Sequence, residues 1–334
     1  MKRILLFIFA VLTLSFSAFS QDIEDLKLKA EQGDAAAQYY LGVCYDNGEG
    51  VEQNYTQSFK YYLLAADKGY VAAQYNIGVC YYFGQGVEQN YLQAVKYYRL
   101  AADKGFAEAQ YNLGLCYYYG KGVEKDNVQS FKYIRLAADQ GLAAAQYNLG
   151  NCYKNGQGIE QNYSQALKYF RLAAAQGLAE AQYNLGNCYY YGEGISQNFS
   201  EAVKFYRLAA DQGFALAQNN LGISYENGQG VEQDYTQAMM YFRLAAEQGY
   251  AGAQHNLGCC YYFGAGVIQN YYEAVKYYRL AAEQGYAASQ YNLGFCYENG
   301  QGVEQNYFEA LKYYGLAAEQ GYEEAQKRLR VLLR

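Results

Sequence analysis

The chain has 334 residues, with 26 Lys and Arg against 32 Asp and Glu, so its formal net charge is -6. Such an acidic surface excludes nucleic-acid binding through general positive charge, because phosphate contacts need concentrated Lys and Arg. Proline and tryptophan are absent, whereas tyrosine occurs 44 times. The lack of proline favours uninterrupted helices, and the tyrosines must pack in a core, line a surface, or do both.

The first twenty residues predict a cleaved signal peptide. Lys2 and Arg3 precede an apolar run over residues 4–16, and Ala18 and Ser20 place small side chains before Gln21. The run is short for a membrane-spanning helix, which needs about 20 apolar residues. We therefore expect residues 1–20 to be removed, the mature protein to be secreted or periplasmic, and no stable membrane insertion.

An internal repeat organises the rest of the chain. One glutamine recurs every 36 residues without insertion or deletion, and this spacing divides the chain into eight full repeats between two half-repeats. We expect an N-terminal capping half-repeat at residues 21–33, repeats at 34–321 and a C-terminal capping helix at 322–334. The recurring glutamines are Gln38, Gln74, Gln110, Gln146, Gln182, Gln218, Gln254, Gln290 and Gln326.

Each repeat predicts two helices, here called helix A and helix B. In the eighth repeat, apolar residues at helical spacing over 287–299 predict helix A, and Gly300 ends it with a turn. Asn306 stands at the N-cap of helix B, with Glu309 three residues later as in a capping box. Helix B is then expected from residue 307 to about 319.

A glycine recurs inside helix A, where it costs about 1 kcal/mol relative to alanine. We expect close approach of helix B to compensate, because alanine or serine occupies the facing column of helix B. The glycines are Gly42, Gly78, Gly114, Gly150, Gly186, Gly222, Gly258 and Gly294.

The pattern Ala-x-x-Gln-Tyr-Asn-Leu-Gly-x-x-Tyr-x-x-Gly-x-Gly-Val, then Asn/Asp-Tyr-x-x-Ala and Leu-Ala-Ala-x-Gln-Gly, resembles the Sel1-like repeat family. The resemblance covers residues 22–334. It implies an all-α, right-handed superhelical solenoid of antiparallel helix pairs, related to tetratricopeptide repeats and used mainly as a scaffold for protein–protein contacts. The family's usual Trp-Tyr in helix B is mostly Tyr-Tyr here.

No pattern in the chain predicts catalysis, a cofactor or a metal. Seven of eight cysteines occupy one helix A column, and packed helices stand too far apart for disulfides within that column, so we expect free thiols filling the core. His255 and Cys259 share a helical face, but zinc wants four ligands and the chain has one histidine, so we interpret this pair as a coincidence of spacing. The Gly-x-Gly turns do not follow a strand, as a nucleotide loop would.

A candidate partner-binding face follows from helix A, which lines the concave side in the related arrays. Tyrosine offers a large rigid contact, and asparagine amides can grip a peptide backbone. The alternative is that these side chains pack between adjacent repeats, and the sequence leaves both interpretations open. The candidates are Tyr75, Asn76, Tyr82, Tyr111, Asn112, Tyr118, Tyr147, Asn148, Tyr183, Asn184, Tyr190, Asn220, His255, Asn256, Tyr262, Tyr291 and Asn292.

The sequence thus predicts an exported, non-catalytic scaffold whose concave face holds a protein or an extended peptide. A second hypothesis is a binder of peptidoglycan or another cell-wall carbohydrate with weak β-lactam hydrolysis, because tyrosine faces can stack on sugars and cysteine-rich relatives have been credited with that activity. Those relatives carry two cysteines per repeat, and this chain has one.

Overall fold

The computed structural model describes residues 23–333, and these residues form 18 α-helices and no strand. The helices A are α2 (Ala35–Asn47), α4 (Val71–Phe83), α6 (Ala107–Tyr119), α8 (Ala143–Asn155), α10 (Ala179–Tyr191), α12 (Ala215–Asn227), α14 (Ala251–Phe263) and α16 (Ala287–Asn299). The helices B are α3 (Tyr55–Asp67), α5 (Tyr91–Asp103), α7 (Asn127–Asp139), α9 (Tyr163–Ala175), α11 (Phe199–Asp211), α13 (Tyr235–Glu247), α15 (Tyr271–Glu283) and α17 (Tyr307–Glu319). The flanking half-repeats are α1 (Ile23–Glu31) and α18 (Glu323–Leu332).

The all-α solenoid of antiparallel helix pairs is confirmed, and the two helices predicted for the eighth repeat begin and end where the sequence placed them. Their boundaries recur because each is set by local chemistry. Asn306 adopts an extended conformation, and its side chain accepts hydrogen bonds from the backbone amides of Phe308 and Glu309. Gly300 takes the left-handed conformation, with φ +67°, that closes helix A.

The predicted capping box is wrong in its second half. The amide of Asn306 donates to the carbonyl of Tyr297 at 2.8 Å, and the carboxylate of Glu309 pairs with Lys312 at 3.0 Å. The loop folds back onto the end of helix A. The backbone amide of Asn306 therefore has its acceptor there and does not bond to the Glu309 carboxylate, as it would in a capping box.

The glycine column is explained by close approach, as expected, but the neighbour is larger than predicted. A Cβ on Gly258 would lie 2.6 Å from a ring carbon of Tyr278 and 3.3 Å from the carbonyl oxygen of Ala274. Small helix B residues therefore bring the backbone close, and a buried aromatic ring fills the space that glycine leaves. Such rings are among the largest fully buried side chains of the described residues, including Tyr98, Tyr206, Phe242, Tyr278 and Tyr314.

The described residues fall into two compact units, one of residues 23–152 and 156–160, the other of 153–155 and 161–333. Inside each unit, helix A packs on helix B of its own repeat and on helix B of the preceding one. A second glycine of each loop allows the loop to lie over the preceding helix B. A Cβ on Gly302 would lie 2.2 Å from the carbonyl oxygen of Tyr271.

A single helix lies at each end of the described residues. Helix α1 packs on α2, and α18 packs on α17. Arg330, which takes the place of the column glycine in α18, is exposed because no helix B follows it within the described residues. The predicted signal peptide lies outside the described residues. Among residues 23–333, every helix is too short or too polar to cross a bilayer.

Candidate functional site

All seventeen candidate residues lie on helices A, and none of their side chains is fully exposed. Tyr111 and Asn112 are buried, and the others are half-buried. The structure thus brings the candidates into helix A columns, as predicted, at the contact between neighbouring repeats.

Several of the candidate asparagines donate side-chain hydrogen bonds to the preceding repeat. The Asn112 amide donates to the hydroxyl of Tyr75 at 3.3 Å, and the Asn148 amide donates to the hydroxyl of Tyr111 at 2.7 Å. In the sixth and seventh repeats the tyrosine is absent, and Asn256 donates to the amide oxygen of Asn219 at 2.9 Å. These bonds link residues 37 positions apart, so they hold consecutive helices A in register.

The tyrosines of the same column pack on aromatic rings of the core. The ring of Tyr75 lies 6.0 Å from that of Tyr98 and 5.2 Å from that of Phe106. Burial raises the pKa of the Tyr75 hydroxyl well above its ordinary value. The packing interpretation that the sequence left open therefore accounts for much of this column.

A second helix A column presents aromatic rings to solvent. Its members stand at the last position of helix A in the second, third, fifth and seventh repeats, and the same position is asparagine in the other four. The exposed rings are Phe83 (44% exposed), Tyr119 (60%), Tyr191 (64%) and Phe263 (72%).

Each exposed ring rests edge-on against the candidate tyrosine that precedes it, with centroids 4.9–5.0 Å apart and planes 68–87° apart. We call these four neighbours the aromatic pairs: Tyr82–Phe83, Tyr118–Tyr119, Tyr190–Tyr191 and Tyr262–Phe263.

The inner ring of an aromatic pair is fixed by the next repeat. The hydroxyl of Tyr190 donates to the side chain of Gln229 at 2.6 Å, and that of Tyr262 donates to Gln301 at 2.7 Å. Gln157 donates to the hydroxyl of Tyr118 at 3.2 Å. The outer ring is consequently held on a rigid base, which suits it to act as a contact anchor.

The predicted site residues include the inner rings, whereas the outer rings were visible in the sequence only as partners in recurring aromatic pairs. The structure shows that Phe83, Tyr119, Tyr191 and Phe263 are the exposed members of these pairs. The sequence indicated their exposure, because this column alternates between aromatic residues and asparagine. A position that accepts asparagine in other repeats does not belong to the core.

Arginines that recur along helix B donate hydrogen bonds to tyrosines of the next repeat. Arg207 donates to the hydroxyl of Tyr225 in the next repeat at 2.7 Å, and Arg99 does so to Tyr117 at 2.9 Å. Among the described residues, an Arg–Asp pair four positions apart within a helix B occurs at Arg135 and Asp139, 3.7 Å apart.

Column cysteines do not form a reactive centre. All eight cysteines are free thiols, and six of the seven in the column are buried. Burial raises the pKa of the Cys80 thiol to about 12 and that of Cys152 to about 11, so both are protonated at neutral pH. Within residues 23–333, no group of three or more His, Cys, Asp or Glu side chains is arranged to hold a metal ion.

Known proteins were compared with the chain at the level of sequence family and of structure. The sequence model of the Sel1 repeat family matches eight consecutive segments: residues 35–70, 71–106, 107–142, 143–178, 179–214, 215–250, 251–286 and 287–322. A search of curated proteins finds no match.

Two solved structures resemble this one over nearly its whole length. A protective antigen of uropathogenic Escherichia coli strains, which displays an SLR fold, is 39% identical, with a TM-score of 0.85 over 94% of this chain and 67% of its own. A Sel1 repeat protein from Oxalobacter formigenes is 31% identical, with a TM-score of 0.70 over 96% of this chain and 92% of its own. The chain belongs to the Sel1 repeat family.

Proposed function

We propose that this protein is an exported, non-catalytic scaffold that binds a protein or an extended peptide through the face presented by its helices A. Sel1 repeat solenoids are typically interaction scaffolds, which supports the general class. The observation that carries the proposal is the set of four exposed rings, each resting edge-on against an inner tyrosine.

The proposed contact combines two layers. The outer rings supply apolar area, and burial of an aromatic side chain is among the largest single contributions at an interface. Inside each unit, asparagines and tyrosines of the neighbouring column bond between repeats and hold consecutive helices A in register. The concave shape implied by the family resemblance would let one extended segment touch several repeats.

Export rests on the predicted signal peptide at residues 1–20. The similar protein from uropathogenic Escherichia coli is a protective antigen, which is consistent with a protein that leaves the cytoplasm. Expression of the full-length sequence followed by N-terminal sequencing tests this part. A mature protein that begins at Gln21 supports export, and retention of Met1 in the cytoplasm contradicts it.

Binding is tested with a displayed library of random peptides selected on the purified protein. Tyr191→Asn with Phe263→Asn removes two outer rings and inserts the residue that Asn155 and Asn227 already provide in sister repeats. We expect selected peptides to lose about tenfold or more in affinity, measured by fluorescence polarisation, since an anchor ring contributes more than about 1 kcal/mol.

The matched control removes exposed rings elsewhere on the array. Tyr272 is 71% exposed and Phe308 is 77% exposed at the starts of helices B, where sister repeats carry Thr236 or Ser164. Tyr272→Thr with Phe308→Ser should leave peptide affinity unchanged. If this control weakens binding as much as the outer-ring variant, the helix A face is not the binding surface.

The absence of catalysis is tested with the reaction of the second hypothesis. We expect no saturable turnover of a chromogenic cephalosporin by the purified protein, because burial raises the pKa of column thiols such as Cys80 and Cys152 and keeps them protonated. Saturable hydrolysis, or selective retention of cell-wall glycan fragments over peptides, would favour the carbohydrate-binding hypothesis and contradict the scaffold proposal.

A further inference from the structure

The helix A column that holds the inner rings of the aromatic pairs also holds charged residues. In this column a side chain reaches the residue 39 positions later, which lies in the loop of the next repeat. Tyr190 donates to Gln229 at 2.6 Å, and Lys154 donates to the carboxylate of Glu193 at 2.6 Å. The next repeat therefore supplies a partner in both cases, whether the side chain is aromatic or charged.

Glu226 is the member of this column whose partner position is empty of polar atoms. The residue 39 positions later is Ala265, the one alanine in a loop column that otherwise holds glutamine, glutamate or lysine. A methyl group cannot donate a hydrogen bond, and the Glu226 carboxylate has no hydrogen-bond or ion-pair partner among the described residues. Burial consequently raises the pKa of Glu226, with no neighbouring cation to lower it.

Other charged members of the column show how the array satisfies such a group. Lys154 pairs with Glu193, and Glu298 accepts hydrogen bonds from Arg328 and Tyr314. Asp46, in the other compact unit, also lacks a partner among residues 23–333, and it has an aromatic pair on one side only. A half-buried carboxylate without a partner costs stability, so its presence at Glu226 calls for a partner from outside the chain.

The surroundings of Glu226 indicate the chemistry of that partner. The pair Tyr190–Tyr191 stands one repeat before Glu226 and the pair Tyr262–Phe263 one repeat after it, with Tyr191 64% exposed and Phe263 72% exposed. Aromatic faces attract a cation and cover the apolar stem of a long basic side chain. A guanidinium group can occupy both oxygens of a free carboxylate at once, which an ammonium group cannot.

We propose that the Glu226 carboxylate binds an arginine side chain of the partner peptide, and that apolar residues near this arginine contact Tyr191 and Phe263. This inference rests on the proposed binding function of the helix A face and specifies the peptide that the face selects. The acidic net charge of the chain, -6, also favours a basic partner.

The test begins with a displayed library of random peptides, selected in parallel on the wild-type protein and on Glu226→Gln. We expect arginine beside apolar residues to be enriched on the wild type and not on the variant. A selected peptide is then synthesised with arginine and with citrulline, which keeps the shape of the side chain and removes its charge. Fluorescence polarisation should show a loss of about tenfold or more for citrulline on the wild type and equal affinities on Glu226→Gln.

Two variants test the position of the charge. Ala265→Gln restores the residue of sister repeats, whose amide can donate to the Glu226 carboxylate, and should weaken binding of the arginine peptide several-fold while leaving the citrulline peptide unaffected. Glu232→Gln removes the same charge from the exposed part of the following loop and should leave both affinities unchanged. Equal weakening by Glu232→Gln and Glu226→Gln would show a general charge effect and overturn the assignment.

Thermal unfolding supplies a readout that needs no ligand. Glu226→Gln should not lower the Tm, because the carboxylate has no partner to lose, whereas a fall in Tm would show a role in the fold and overturn the proposal.

The outcomes separate this inference from the proposed function. If Tyr191→Asn with Phe263→Asn weakens peptide binding but Glu226→Gln does not, the helix A face binds peptides and the arginine assignment is wrong. If no peptide is selected on the wild type, the proposed function fails and this inference fails with it.

Discussion

Individual residues in this array are best understood by comparison with their counterparts 36 positions away. The column glycines of helix A and the glutamines that open each repeat occupy equivalent surroundings again and again. Where one repeat carries a different residue in a column, the other repeats show which contact the usual residue makes. Comparison of the two shows what that contact contributes.

Glycine substitutions separate close packing from helix propensity. Gly258→Ala would place a methyl group 2.6 Å from the Tyr278 ring, an overpacking that costs about 1–3 kcal/mol. A methyl group added at Gly315, inside helix α17, would meet no neighbouring side chain or helix within 4 Å. We expect Gly258→Ala to lower the free energy of unfolding and Gly315→Ala to raise it by up to about 1 kcal/mol. Urea titration of both variants checks this, and equal signs would contradict it.

The hydrogen bonds of the recurring helix A glutamines point to a substitution that should stabilise the protein. Gln140 donates to the side-chain oxygen of Gln110 at 2.7 Å, and pairs in later repeats form the same bond, for example Gln248 with Gln218. Where the donor is replaced by Lys104, the buried side-chain oxygen of Gln74 has no hydrogen-bond partner among the described residues.

Lys104→Gln should therefore stabilise the chain by about 1 kcal/mol, because a buried acceptor gains a donor. The hydrogen bond that is lost, from Lys104 to the carbonyl of Gly69 at 2.9 Å, is exposed. Thermal unfolding of Lys104→Gln and of the reverse variant Gln248→Lys measures the effect. A rise in Tm for the first and a fall for the second are expected, and no difference between them would refute the assignment.

At the scale of elements, an asparagine or aspartate caps the start of each helix B and a glycine closes each helix A, whereas the last helix also depends on one buried charge. Helix α18 closes the array, and its Arg328 forms a salt bridge with Glu298 of α16. Tyr314 of α17 donates to the same carboxylate at 2.7 Å. Burial raises the pKa of Glu298, but the hydrogen bonds from Arg328 and Tyr314 outweigh burial, and the pKa lies below its ordinary value of 4.5.

Arg328→Ala should leave a buried carboxylate short of partners and destabilise the C-terminal end by about 1–3 kcal/mol. Hydrogen exchange of α17 and α18 followed by mass spectrometry measures this. Lys327→Ala is the control, because the Lys327–Glu323 pair is exposed and such pairs contribute little. Equal loss of protection in both variants would contradict the role of Glu298.

The same carboxylate predicts a pH dependence. Since its pKa is lowered by folding, its contribution to stability is complete above the ordinary value of 4.5 and is lost as the pH falls through the lower folded value. Glu298→Gln should flatten the loss of α18 protection in that acid range. A variant that loses protection as steeply as the wild type would show that another group is responsible.

At the scale of the whole molecule, contacts inside each of the two units run from one repeat to the next, so a unit should tolerate the loss of one repeat. Deletion of residues 215–250 joins Phe214 to Ala251 and preserves the 36-residue register. We expect unchanged ellipticity per residue and a cooperative thermal transition. Deletion of residues 215–232 breaks the register and should yield a poorly folded protein, and similar behaviour of both deletions would contradict a modular array.

The sequence by itself determined the helices and their ends. The bounds of α16 and α17, the cap at Asn306 and the turn at Gly300 follow from residues within a few positions of each other, where helical spacing and conformational preference suffice. The half-repeats at α1 and α18 were also predictable, because they match one half of a pattern seen eight times.

The tertiary structure alone decided which atoms meet across repeats. Asn148 bonds to Tyr111, Arg207 to Tyr225 and His255 to Ser289 over separations of 18 to 37 residues. Helical spacing assigns a residue to a face, but it does not say which neighbour that face meets or how far a side chain reaches. For that reason the sequence identified the tyrosine-rich columns of helix A, while only the packed helices showed that the inner rings are held between repeats and the outer rings are exposed.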